Sequence, residues 1–179
     1  LEFRRVLFRS IIIRHSKSSW KDLSLTDFNR PLNGRGKSDG PLMADYLKKK
    51  INKIDYLHSS SSVRTFETSK YFINQIEFEK VEYDDSLYHC SATSILNMIR
   101  SYSDNYQSVM IIAHNPGLTN LINNITNIEH LYYLITKYID ILHLYIYDNY
   151  DLIYFFRRFS KLLIRNNYTT NNFILNFKY

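Results

Sequence analysis

The chain is 179 residues long, 45% hydrophobic and 22% charged. That balance suits one domain with its own core and excludes disordered and collagen-like classes. The single cysteine, Cys90, excludes an internal disulfide framework and a Cys-rich zinc site. Lys and Arg number 23 against 17 Asp and Glu, a net charge of +6; this modest excess suits an anionic substrate or weak attraction to nucleic acid and establishes neither.

In chain order, Leu1–Ser10 carries Arg4, Arg5 and Arg9 around the apolar run Val6–Phe8, which is far too short for a signal sequence. It resembles read-through of a sequencing adapter more than the entry to a strand and is set apart as an extension. Ile11–Ile13 is a β-branched run that predicts a buried strand. A polar loop follows from Ser16 to Asn33, with turn chemistry at Asn33–Gly34 and Gly36. Leu42, Ala44, Tyr46 and Leu47 recur at near-helical spacing up to Lys48–Lys50. Ile54–His58 predicts a second strand. Ser59–Ser62 is a run of potential N-caps, from which a helix should start near Val63 and reach about Ile76. Val81–Tyr83 predicts a third strand, Ala92–Arg100 a helix, and Ser108–Ala113 a strongly apolar strand. His114–Gly117 breaks that strand, and Leu118–Ile125 predicts a further helix. Strands alternating with helices imply an α/β fold, a three-layer α/β/α sandwich with a mainly parallel sheet.

After Gly117 the chain has neither Gly nor Pro, and more than half of its Tyr and Phe lie beyond residue 130. Residues 126–179 therefore form an atypical Tyr/Ile/Asn-rich region, read either as a helical tail or as a frame-shifted translation. Residues 11–125 form the α/β domain. The richest apolar stretch, Leu131–Phe156, carries Lys137, Asp140, His143, Asp148 and Asp151, which argues against a membrane span. A soluble, cytoplasmic monomer that engages neither membrane nor nucleic acid is the expectation.

The residues with chemistry fall at strand ends. His15, preceded by Arg14, follows the first strand; His114 follows the strand Ser108–Ala113; Ser59–Ser62 and Arg64 follow the second and open a helix. In open parallel sheets ligands bind beyond the carboxyl ends of the strands. A helix N-terminus favours an anion, and guanidinium forks suit phosphoryl oxygens. Singly, each has a plainer reading: a loop histidine, a solvated arginine, a helix cap. Two His and two Arg at three strand ends make a phosphate site. Cys90 reads as a small buried hydrophobe rather than a reactive thiol. Lys48–Lys50 with Lys53 read as a solvated face, or as a dock for an acidic partner. The basic aromatic tail around Arg157, Arg158, Lys161 and Arg165 is explained more simply by core aromatics or mistranslation than by RNA stacking.

The segment Ile11–Trp20, with Arg14–His15 at its centre, resembles the opening motif of the histidine phosphatase superfamily, the phosphoglycerate-mutase-like fold. Continued through Asp27-Phe-Asn-Arg-Pro31-Leu-Asn-Gly-Arg-Gly36, it is similar to the small SixA-type phosphohistidine phosphatases. Ser59–Thr68, Leu87–His89 and Ala113–Leu118 follow in matching order and distance. The resemblance implies a metal-independent hydrolase without a cofactor. In it His15 is the nucleophile and is transiently phosphorylated, while Arg14, Arg64 and His114 hold the phosphoryl oxygens; Ser16, Asn115 and His89 join the substrate-binding set. The implied substrate is a phosphorylated protein, such as a histidine phosphotransfer domain, or a small phosphorylated molecule. Two departures bear on it. Ser16 stands where the superfamily usually has Gly. Tyr88-His89-Cys90 lacks the carboxylate that many relatives use as general acid, which fits a phosphoramidate better than an alkyl phosphate ester. A general phosphomonoesterase or mutase, and an inactive phosphate-binding homologue, remain the alternative readings.

Overall fold

The computed structural model describes residues 9–103, 105–126, 143–146 and 152–155. The chain runs through β1 (Arg9–Arg14), α1 (Gly34–Lys48), β2 (Lys53–Ser60), α2 (Val63–Ile73), β3 (Glu77–Asp84), α3 (Ala92–Ser101), β4 (Ser108–Ala113) and α4 (Gly117–Thr126). Two short strands follow, β5 (His143–Ile146) and β6 (Leu152–Phe155). The four strands of the main sheet are parallel in the order β1-β4-β2-β3.

The apolar β-branched strands bury both faces, as expected of a parallel sheet covered by crossover helices. One face carries Ile11, Ile13, Leu57, Met110 and Ile112 against Ala44 and Leu47 of α1 and Phe72 of α2. The other carries Ile12, Val109 and Ile111 against Ile95 of α3 and Leu118, Leu121 and Ile122 of α4. The expected three layers follow from this alternation along each strand.

Several boundaries differ from the expectation. β1 begins at Arg9, so Arg9 and Ser10, read as part of an extension, pair with Ser108 and Val109. α1 begins at Gly34, not near Leu42. Asn33 caps it by accepting from the Gly36 N–H at 2.8 Å. Gly34, Gly36, Gly40 and Pro41 argue locally against a helix, but packing against Lys17 and Tyr71 leaves no room for a Cβ at Gly36 and Gly40. A Cβ on Gly36 would meet the Lys17 carbonyl oxygen at 2.2 Å. β3 extends well beyond Val81–Tyr83; as an edge strand its charged residues face solvent and mask it in sequence. Ser59 and Ser60 end β2 instead of capping a helix, and Ser62 occupies the N-cap of α2. After residue 126, the described segments are the antiparallel pair β5–β6, not helix; the rest of the 126–179 region, including the aromatic basic tail, lies outside the described residues, as do residues 1–8.

Candidate active site

Register puts three strand ends level. Arg14 pairs with Ala113 across β1 and β4, and Ser59 pairs with Ile112 across β2 and β4. His15, His114 and Ser60 therefore emerge side by side. The His15 N–H continues the ladder by donating to the Ala113 carbonyl at 3.2 Å. The rings of His15 and His114 lie 5.0 Å apart, centroid to centroid.

Arg64, in the first turn of α2 and only 2% exposed, joins the two imidazoles. Its Nε donates to His15 Nε2 at 3.2 Å. One Nη2 hydrogen goes to His114 Nδ1 at 3.2 Å and the other to Asp27 Oδ2 at 2.8 Å, while Nη1 donates to the Asp27 carbonyl.

These partners settle the tautomers. A carbonyl only accepts, so His15 Nδ1, 2.8 Å from the Ser16 carbonyl oxygen, carries the ring proton. The lone pair is then on Nε2, facing Arg64. A guanidinium only donates, so His114 Nδ1 accepts, and Nε2–H donates to Ser60 Oγ at 2.9 Å. Burial lowers the His15 pKa well below its ordinary value of 6.5, and the neighbouring His114 ring and the Arg64 and Arg14 charges lower it further. The Ser16 carbonyl opposes the shift without reversing it. Burial, then Arg64 and His89, pull His114 down to about 3. Both rings are neutral at pH 7.

A buried threonine braces the pair. Thr68 Oγ1 accepts the Ser16 N–H at 3.0 Å and donates to the Arg64 carbonyl at 2.6 Å. It links the residue that anchors His15 to the residue that faces its lone pair.

Of the other sequence candidates, Arg14 is half-buried at the end of β1, and its charge acts on both imidazoles. Ser16 is buried and serves through its backbone; its Oγ has no partner. His89, at a left-handed φ of 53°, lies on the rim. Its ring stacks at 5.8 Å on His114, and its Nε2 is 3.3 Å from Asp27 Oδ2. Asn115 is half-buried in the turn after His114, joined to Pro116 by a cis peptide. The hydrogen bonds that hold the cluster do not include it.

Sequence reasoning did not single out Asp27, Tyr88 or Arg30. Asp27 arrives on the 17–33 loop, which is sewn to α2 where Val63 N–H donates to the Phe28 carbonyl and Leu32 N–H to Glu67 Oε2. Its Oδ2 accepts from Tyr88 Oη at 2.7 Å as well as from Arg64, and its Oδ1 pairs with Arg30 Nη2 at 2.7 Å. Partial burial opposes the charge, but the Tyr88 hydroxyl and the Arg64 guanidinium outweigh it and hold the carboxyl well below the usual carboxylate range. Burial and the bond to Asp27 push the Tyr88 phenol up. Asp27 and Arg30 lie in the Asp27–Gly36 motif, but nothing local gives them a role, which only the docking of the loop on α2 reveals.

Cys90 is half-buried and burial raises its thiol pKa, in keeping with a small hydrophobe. Lys53 belongs to β2 and pairs with Glu79 at 2.6 Å, apart from Lys48–Lys50. Among the described residues no three His, Cys, Asp or Glu are arranged to hold a metal ion, and no helix is long and apolar enough to cross a membrane.

The architecture is the phosphoglycerate-mutase-like fold, shared with solved SixA structures and a phosphoglycerate mutase. The SixA protein of Agrobacterium tumefaciens superposes with a TM-score of 0.74 at 23% identity, over 84% of this chain and 98% of that one. The protein histidine phosphatase SixA complexed with tungstate superposes at 0.58 and 22% identity, covering 66% and 76%. The phosphoglycerate mutase of Plasmodium falciparum does so at 0.58 and 13% identity, covering 82% and 90%. In sequence, an uncharacterized chloroplastic protein of Arabidopsis thaliana is 33% identical over 119 residues, 61% of this chain and 55% of that protein. The chain thus spans about half the length of that relative. No family model matches the chain.

Proposed function

We infer that the chain is a histidine-nucleophile phosphatase that acts on phosphohistidine. The reading rests above all on His15: its Nδ1–H is committed to the Ser16 carbonyl, so its lone pair is on Nε2, beside Arg64 and 5.0 Å from His114. A neutral imidazole with an anchored second nitrogen is a competent nucleophile. One neighbour in the fold is complexed with tungstate, a tetrahedral oxyanion, which supports an oxyanion ligand for this fold.

His15 Nε2 attacks phosphorus in line, a P–N bond forms, and the bond from phosphorus to the departing nitrogen breaks. Water then attacks the phospho-imidazole. Its oxygen stays on phosphate, one of its protons reaches the departed nitrogen, and His15 returns neutral. Arg14 and Arg64 neutralise the equatorial oxygens, the main task in phosphoryl transfer. His114 stays a neutral ring at pH 7, with Nδ1 accepting from Arg64 and Nε2–H, now on Ser60 Oγ, as its available donor.

The environment of the pocket bears on the leaving group. Asp27 is held ionised and the Tyr88 phenol is pushed up, so neither is a ready acid at neutral pH. An imidazole leaves with less protonic help than an alkoxide. A phosphohistidine-bearing protein therefore suits the pocket better than a phosphate monoester. The deciding experiment incubates the protein with a phosphohistidine protein and with phosphoserine in parallel, quenches in base, and maps the acid-labile phosphoryl group by mass spectrometry. Label on His15 is expected from the phosphohistidine donor. Turnover that persists in His15→Ala, or a preference for phosphoserine, would overturn the reading.

A further inference from the structure

The guanidinium best placed to hold a substrate oxygen already holds an anion from its own chain. Arg64 is almost wholly buried, and both of its Nη2 hydrogens are used, on His114 Nδ1 and on Asp27 Oδ2. No further anion can reach Nη2 unless the Asp27 side chain leaves. The Asp27 backbone has little freedom, because its carbonyl accepts from Arg64 Nη1 and the next carbonyl, of Phe28, accepts from Val63 N–H. Departure must therefore be a rotation of the carboxylate.

The place it would rotate to is already built. Arg30 is 6% exposed and lies beneath Trp20, with its guanidinium carbon 3.4 Å from the ring centroid. Its Nη2 holds Asp27 Oδ1, yet its Nε and Nη1, both buried, have no hydrogen-bond partner. Unsatisfied buried donors on a charged group are costly. Either nitrogen neighbours Nη2 in the fork, so a carboxylate that lets go of Arg64 can close a bidentate pair on Arg30 and satisfy one of them.

We propose that Asp27 is a built-in competing anion, which passes from Arg64 to Arg30 to admit the phosphoryl group. The proposal rests on the phosphoryl-site reading above. Its consequence is that every incoming anion meets a tethered carboxylate whose effective concentration is millimolar or higher. Apparent affinity is lowered by the fraction of time Asp27 spends on Arg64. Trp20 and Arg30 are then positioning residues that set how readily Asp27 moves.

The probe is inorganic phosphate, titrated by 31P NMR against the native chain, Asp27→Asn and Asp27→Ala, with thermal unfolding run in parallel to establish that each is folded. Both variants should bind phosphate about tenfold more tightly than the native chain. Arg30→Met should weaken binding in the native chain and leave it unchanged in the Asp27→Asn chain, because the second seat matters only to the carboxylate. Should an Asp27 variant fail to fold, weaker phosphate binding by Arg30→Met would support the proposal on its own, and equal or tighter binding would sink it. Native binding with no gain, or a loss, on removing the Asp27 charge would overturn the gate while leaving the phosphoryl site standing. Binding that falls further when Arg30→Met is added to Asp27→Asn would assign Arg30 to the ligand and also overturn it. No binding by any variant at millimolar phosphate would overturn both readings together.

Discussion

Arg64 Nε donates to His15 Nε2 at 3.2 Å, although the two residues are separated by 49 positions. The bond sets the distance between a neutral imidazole and a fixed positive charge, and it uses the Nε–H that lysine lacks. Arg64→Lys should therefore behave much like Arg64→Ala, since one ammonium cannot serve His15, His114 and Asp27 together. Both substitutions should lower kcat by about 100- to 1,000-fold, the usual effect of deleting one preorganised charge donor. Steady-state kinetics on a phosphohistidine protein checks this; a loss below about threefold would remove Arg64 from the reacting centre.

Thr68 bridges the Ser16 N–H and the Arg64 carbonyl inside the protein. Thr68→Val keeps the shape and removes the hydroxyl, leaving a buried N–H without an acceptor. The expected cost is about 1–3 kcal/mol of stability. Because Ser16 anchors His15, kcat should fall more than KM rises. Urea unfolding and a kcat-against-KM comparison test the two parts separately. A variant with native kcat would show that the brace is structural only.

Acid should unfold this protein earlier than its carboxylates alone require. His114 titrates at about 3 in the folded chain against an ordinary 6.5, and His15 is displaced in the same direction. Between those values the unfolded chain binds more protons than the folded one. Stability is therefore fully present above about pH 6.5 and declines as pH falls toward 3. His114 alone accounts for about 2 kcal/mol at pH 5. Asp27, depressed from its ordinary 3.8, carries the loss further down the scale. Unfolding free energies measured from pH 8 to 4 should slope downward, and His114→Phe should flatten part of that slope. A level profile over this window would contradict the neutral, buried state of the rings.

Gly117, at the start of α4, lies directly against the His89–Cys90 segment. A Cβ there would stand 2.1 Å from the Cys90 carbonyl oxygen, and backbone cannot yield as a side-chain tip does. Gly117→Ala should cost about 1–3 kcal/mol through overpacking. It should also displace His89 from the rim, visible as shifted imidazole resonances of His89 and His114. Unchanged stability would mean that the turn after β4 has slack.

How much of this was legible beforehand divides along a physical line. The strand-helix alternation, the α/β class and the emergence of His15, His114 and Arg64 at strand ends could be read from runs such as Ile11–Ile13 and Ser108–Ala113, because burial on both faces of a parallel sheet demands near-continuous apolar segments. Helix α1 could not be placed correctly, since Gly34, Gly36, Gly40 and Pro41 oppose a helix locally, while the close contacts of Gly36 with Lys17 and of Gly40 with Tyr71 are tertiary. The sequence by itself determined which chemical groups leave the sheet and at which end. The strand order β1-β4-β2-β3, the proton on Nδ1 of His15, and the Asp27 carboxylate between two arginines were decided only by the tertiary structure. Each depends on a partner far along the chain, as Arg64 is 37 positions from Asp27, or on a backbone carbonyl whose direction is set by the packed turn. Local propensity carries no information about such partners; close packing supplies it.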